Sequence, residues 1–135
     1  MPTLHLRVAP LQNPERYETL AAALTRITAD VLGKRADVTA VTIDDLPAAR
    51  WYVGGRAVQR PAATLEITIT AGTNTPAQKA AFVEAAFAEL RRQLAAGGEL
   101  EEASYVTVRE VPAADWGYGG LTQQQRQLAR MRLAA

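Results

Sequence analysis

Few side chains in this 135-residue sequence can do chemistry. There is no cysteine, which excludes disulfides, thiolate nucleophiles and cysteine metal sites. The one histidine is His5, so a two-histidine metal site or a serine triad with a spare imidazole is excluded as well. His5 itself falls on the polar side of an alternating segment and reads as a sheet-face residue. The remaining group is at the amino terminus. Met1 is usually removed when the second residue is small, and Pro2 qualifies. The chain would then begin with a secondary amine. An ordinary α-amino group titrates at roughly 7.7–8.0, and a prolyl amine is more basic. Apolar walls and neighbouring cations would lower its pKa toward neutrality. Such an amine can take a proton from a carbon next to a carbonyl and return it elsewhere, and the ring holds it rigidly for that task. If Met1 stays, the nitrogen is an amide and the base does not exist.

A base at position 2 needs elements that present it. Leu4, Leu6 and Val8 alternate with Thr3, His5 and Arg7, the pattern of a half-buried strand. Asn13 and Pro14 suit the N-cap and first position of a helix. Tyr17, Leu20, Ala21, Leu24, Ile27, Thr28 and Val31 give that helix an apolar face. Gly33 ends it, with Lys34 and Arg35 beyond, where positive charge meets the helix dipole. Val38 to Ile43 reads as a second strand, and Arg50 to Gly55 as a turn or short hairpin. The plan then repeats. Thr64 to Ile69 is a strand, and Thr75-Pro76-Ala77-Gln78 is a capping box. Ala80, Val83, Phe87, Leu90 and Leu94 form a second helix face, which Gly97 and Gly98 end. Tyr105 to Val108 is a strand, followed by Pro112 and by Trp116 to Gly120.

The halves correspond marker by marker. Val41-Thr42, Pro47, Trp51 and Gly54-Gly55 recur 65 positions on as Val106-Thr107, Pro112, Trp116 and Gly119-Gly120. Thr3-Leu4 matches Thr64-Leu65, and Pro14 matches Pro76, at slightly smaller offsets. Insertions in loops, which are inexpensive, account for the difference. The chain is therefore expected to be α+β: a tandem β-α-β repeat forming one four-stranded sheet with two helices on one face. Residues 1–120 make a single domain of two repeats, 1–60 and 61–120, and 121–135 a C-terminal tail. Strands joined through a helix within a repeat should run parallel. Thr3, His5, Arg7, Glu66 and Thr68 make the uncovered sheet face polar, and a homo-oligomer packing sheet against sheet would cover it. The tail carries Arg126, Arg130 and Arg132 and reads as a solvated or subunit-clasping segment. Fifteen Lys+Arg against 14 Asp+Glu give a formal charge of +1, so no long-range field favours nucleic acid or an anionic membrane. No run is long and apolar enough for a membrane span, and the start does not read as a signal peptide, so a cytoplasmic protein is expected.

With an amino-terminal proline on a β-α-β repeat, the sequence resembles the tautomerase superfamily. Its second half is similar to the short 4-oxalocrotonate tautomerase subunit, whose closing hairpin resembles Pro112 to Gly120. Arg50 to Gly55 looks like a second copy of that hairpin. Over residues 1 to 120 the chain resembles fused two-unit members, which include the macrophage migration inhibitory factor and cis-3-chloroacrylic acid dehalogenase groups. The resemblance implies a homotrimer with active sites at subunit boundaries, Pro2 as catalytic base and no metal or organic cofactor. It further implies that Lys34 binds a substrate carboxylate and that Tyr105 is an active-site tyrosine. Thr107 falls where the migration-inhibitory-factor group has an asparagine, and Trp116, or Trp51, falls at an aromatic pocket wall. The departures narrow the substrate. The arginines of 4-oxalocrotonate tautomerase would fall at Gln12 or Thr73 and at Ala40 or Tyr105. Those of the dehalogenase would fall near Ala71 and Asn74, and its acid near Tyr118. None is present. Arg50, Arg56, Arg60 and Arg109 are the other cations that could bind an anion. The expected activity is keto–enol conversion of a small, phenylpyruvate-like 2-oxo acid. The alternatives are a trimeric scaffold without catalysis, or a decarboxylase or hydratase of a small unsaturated acid using the same proline.

Overall fold

In the first strand, β1 (Thr3–Ala9), Leu4, Leu6 and Val8 are buried while Thr3, His5 and Arg7 point outward, as their alternation requires. The computed structural model describes residues 2–134; the state of Met1 and the last residue of the tail lie outside the described residues. Helix α1 (Pro14–Leu32) follows. Asn13 occupies its N-cap position, but its side chain makes no capping bond. Gly33 closes the helix in the left-handed conformation (φ 69°), donating its N–H to the Ala29 carbonyl at 3.0 Å. Strand β2 (Ala40–Asp45) then pairs parallel with β1, Leu4 beside Val41. It begins two residues later than the sequence suggests, because Ala36–Val38 forms a 3₁₀ turn. A short hairpin, β3 (Tyr52–Val53) and β4 (Arg56–Ala57), ends the first repeat.

The second repeat runs through β5 (Ala62–Thr70), α2 (Pro76–Ala95), β6 (Val106–Val111) and the hairpin β7 (Gly117–Tyr118) and β8 (Leu121–Thr122). The strand order β2-β1-β5-β6 is parallel within each repeat and antiparallel between them, where β1 meets β5. Both helices pack on one face, over a core that includes Leu6, Leu20, Leu24, Leu65, Ile67 and Phe82. The two hairpins turn at Gly54-Gly55 and Gly119-Gly120, all four with positive φ, as a two-residue primed turn demands. A last helix, α3 (Gln123–Ala134), leaves directly from the second hairpin.

The expected face of the second helix holds in its second half, where Leu90 is buried and Phe87 and Leu94 pack against the core, and shifts in its first half. Phe82, Ala86, Leu90 and Gln93 are buried, whereas Ala80 and Val83 are exposed. Alanine gives little directional signal along this helix, and its inward face includes a polar residue. Gln93 accepts from Thr19 Oγ1 at 2.8 Å and donates to the Thr19 carbonyl at 3.1 Å, so α1 and α2 are joined by a satisfied amide. The capping box forms as expected. Thr75 Oγ1 accepts from the Gln78 N–H at 3.1 Å, and the Gln78 side chain accepts from the Thr75 N–H at 2.9 Å.

One pair ties α1 to the end of β2. The Tyr17 hydroxyl donates to the Asp45 carboxylate, which also accepts the Gln12 N–H at 2.8 Å. The Tyr17 hydrogen bond, then that from Gln12, holds the Asp45 carboxyl below the usual carboxylate range. The same bond pushes the Tyr17 phenol up. A depressed carboxylate adds stability above its unfolded value of about 3.9, lost as pH falls through the folded value. A raised phenol adds stability below about 10, lost as pH rises through its folded value. Asp45→Asn should therefore flatten both the acid and the alkaline limbs of a stability–pH profile measured by urea midpoints. Limbs as steep as in the unaltered protein would contradict that coupling.

Candidate active site

The parallel pairing places Pro2 at an edge where several elements end. Its carbonyl accepts the Ala40 N–H at 3.3 Å, continuing the β1–β2 ladder, and its ring is buried. It lines a pocket of about 230 Å³ with Thr3, Ala40, Trp116, Tyr118 and Gln123. The second hairpin forms the aromatic wall. Gly117 lets it close, because a Cβ there would lie 1.9 Å from the Leu121 carbonyl oxygen. Trp116 is fixed by its indole N–H, which donates to Thr70 Oγ1 at 3.2 Å. Tyr118 is clamped by α3. Arg126 stacks over its ring, 3.8 Å from the centroid, and donates to its carbonyl at 2.9 Å.

Lys34 is not among the residues that line this pocket, but hydrogen bonds connect it to the Trp116 wall. Its ammonium donates to Thr73 Oγ1 at 2.8 Å, and the Thr73 hydroxyl donates to the Thr70 carbonyl at 2.6 Å. Thr70 is the residue that holds the indole. Partial burial pulls the Lys34 ammonium down from its usual value, and the Glu110 carboxylate opposes that shift. Glu110 is held low mainly by its hydrogen bond from Lys79 and then by the Gly72 N–H. Lys34 is thus a half-buried ammonium whose nearby carboxylate is shared with a second lysine, an arrangement that leaves it able to take an anion.

Tyr105 and Thr107 are not in this pocket. With His5, Arg7 and Glu66 they border an open depression of about 400 Å³ on the uncovered sheet face. The register explains the separation. Thr3 pairs with Thr68 and Thr68 with Arg109, whereas Tyr105 joins the sheet beside Leu65. Tyr105 therefore lies two strands across from Pro2 and about 16 Å along the strand direction, five residues from the Glu110 row on which Pro2 falls. It is 68% exposed, unusual for a tyrosine with no partner to cover it. The other candidate cations are also elsewhere. Arg109 faces Glu66 at 3.4 Å on the sheet, and Arg60 faces Glu101 at 3.6 Å. Arg56 and Arg60 border an open cleft of about 460 Å³ beside the first hairpin, away from Pro2. Trp51 belongs to that first hairpin, where its carbonyl accepts the Val58 N–H at 2.9 Å. The sequence pattern did not single out Tyr118, Gln123 or Arg126 as site residues. The last two lie in what reads as a polar tail, and only the turn at Gly119-Gly120 brings them back.

No family model matches the sequence, and no curated protein matches it. Solved structures do. A wild-type fused 4-OT, an asymmetric trimer, is 25% identical over 92% of this chain and 98% of its own, with a TM-score of 0.78. The fold is that of the tautomerase superfamily. A native fused 4-OT agrees at 26% identity, 91% and 97% coverage and a TM-score of 0.76. The macrophage migration inhibitory factor of Toxoplasma gondii has the same fold at 19% identity, 89% and 98% coverage and a TM-score of 0.74. In this tautomerase fold the two β-α-β units of one chain are joined, and the second hairpin frames the amino-terminal strand. Among the described residues, no helix is long and apolar enough to cross a membrane.

Proposed function

We propose that this chain is a cofactor-independent tautomerase that interconverts the keto and enol forms of a small 2-oxo acid, with Pro2 as general base. The observation that supports this best is the burial of Pro2 in a pocket walled by Trp116 and Tyr118. Once Met1 is removed, Pro2 presents a secondary amine in apolar surroundings, which disfavour its charged form and bring its pKa toward neutrality. The amine takes the proton α to the carbonyl, the C–H electron pair becomes the C=C bond, and the carbonyl π pair moves onto oxygen. The proton is then returned to oxygen or carbon. Lys34 holds the carboxylate, and Trp116 shapes the pocket and excludes water. Among the described residues no arginine lines the Pro2 pocket, which favours a monoanionic acid of phenylpyruvate type over a dicarboxylate.

The assembly is proposed to be a homotrimer. Two considerations support it: solved relatives of this fold are described as trimers, and the exposed sheet face carries Tyr105 uncovered. In a trimer, Tyr105 and Thr107 serve the pocket of a neighbouring subunit, which reconciles their candidacy with their distance from Pro2. Sedimentation at micromolar concentration should give the mass of three chains; a monomer would contradict the proposal.

The activity is tested by following loss of the phenylpyruvate enol absorbance with purified protein. Lys34→Met should raise KM on the order of tenfold and leave kcat within a fewfold. A charge-assisted hydrogen bond contributes about 1.5–3 kcal/mol when buried and less when half-exposed. A fall in kcat at unchanged KM would place Lys34 in the chemistry instead.

A further inference from the structure

Burying a polar side chain is costly, so each one that a fold encloses asks for a reason. Among the described residues, five polar ones are buried. Thr28 donates to the Leu24 carbonyl at 2.7 Å, and Thr70 accepts the Trp116 indole. Gln93 is bonded to Thr19, and Ser104 accepts the Ala63 N–H at 3.0 Å. The fifth is Gln123, 4% exposed. It is also the first residue of α3 and lines the Pro2 pocket.

Its position is tightly determined. The Gln123 N–H donates to the Trp116 carbonyl at 2.9 Å. Thr122 and Gln125 cap the helix reciprocally, at 2.9 and 3.0 Å, and Arg126 clamps the next turn to Tyr118. The start of α3 is thus capped within itself and held against the pocket wall at two points, Trp116 and Tyr118. The helix also brings the positive end of its dipole to that wall.

We infer that Gln123 is a further catalytic residue, donating its side-chain N–H to the substrate oxygen that gains negative charge as Pro2 removes the α proton. This rests on the tautomerase reading above. A neutral amide in an apolar pocket suits a charge that exists only during the reaction, because a preorganised donor stabilises the transition state more than the ground state. The permanent carboxylate is left to Lys34. No proton is transferred from Gln123; it only accepts the developing charge as a hydrogen-bond donor while the proton resides on Pro2. The inference also gives α3 a function, as the element that carries this donor into the site.

The test compares wild type, Gln123→Met, which keeps the length but loses the donor, and Gln123→Glu, which places a carboxylate in the site. With phenylpyruvate, Gln123→Met should lose on the order of 10²-fold to 10³-fold in kcat with KM changed less than about threefold. Gln123→Glu should lose at least as much, and circular dichroism should show all three folded alike. A kcat for Gln123→Met within threefold of wild type overturns the assignment. In parallel, the side-chain amide signals absent from the spectrum of Gln123→Met are followed in wild type as oxalate, a planar enediolate mimic, is added. A downfield shift of those signals supports the contact, and no shift at saturating oxalate overturns it. Wild type inactive on phenylpyruvate would overturn the tautomerase reading, and the amide titration alone would then decide for or against Gln123 as an oxyanion donor.

Discussion

Pro2→Ala should lower keto–enol turnover by roughly 10²-fold to 10⁴-fold, the range for removing a positioned general base. The alanine variant still has an amino-terminal amine, so the loss reads the specific properties of proline. The amine becomes primary, and the ring that fixes it against Trp116 and Tyr118 is gone. The fold should survive, because the only described backbone bond at this residue is the one its carbonyl accepts from the Ala40 N–H, which alanine retains. Turnover in Pro2→Ala equal to wild type, in a sample whose mass shows Met1 removed, would sink the proline mechanism. The same mass measurement on wild type separates an enzyme from a scaffold, since retained Met1 would leave an amide at the proposed base.

Phe82→Ala should be the most destabilising single truncation in the core. Phe82 is fully buried between α2 and the sheet, and emptying a buried phenylalanine site costs about 3–5 kcal/mol through lost burial and the remaining cavity. For a chain of this length that corresponds to a fall in melting temperature on the order of 10–20 °C at fixed protein concentration. Val83, the next residue, is 37% exposed, so Val83→Ala should cost about 1 kcal/mol or less. The pair reads the shifted face in the first half of α2 directly. Equal losses, or the larger loss at Val83, would mean that this half presents the face its apolar spacing suggests.

That comparison also shows why some of the molecule is legible in the sequence and some is not. Alternation in Thr3–Ala9 and the markers repeated 65 residues apart give the strands, the doubled hairpin and the four-stranded sheet, because each depends on local pattern or on self-similarity. Helix α2 misleads in its first half, where alanine gives little directional signal, and its inward face includes Gln93, whose amide is satisfied partly by Thr19, 74 residues away. Pro2, Trp116 and Lys34 are found from type and resemblance, and the fold places Pro2 and Trp116 at one pocket, with Lys34 linked to the same wall. Tyr105 and Thr107 are found in the same way, yet the register carries them to the open sheet face. Gln123 has no signal at all in a run of glutamines and arginines. Its importance comes from the hairpin turn that folds the tail back onto the site, a tertiary event that no local pattern encodes.

The most direct test of the central claim is titration of the Pro2 nitrogen, followed by ¹⁵N NMR in protein labelled at proline. The account predicts an amine that titrates near neutrality, below the value of a free prolyl amine, so that the unprotonated base is abundant at pH 7. A nitrogen that titrates like a free prolyl amine would be protonated at neutral pH and would act as an acid, and a signal that does not titrate would reveal an amide; either result would contradict Pro2 as the general base.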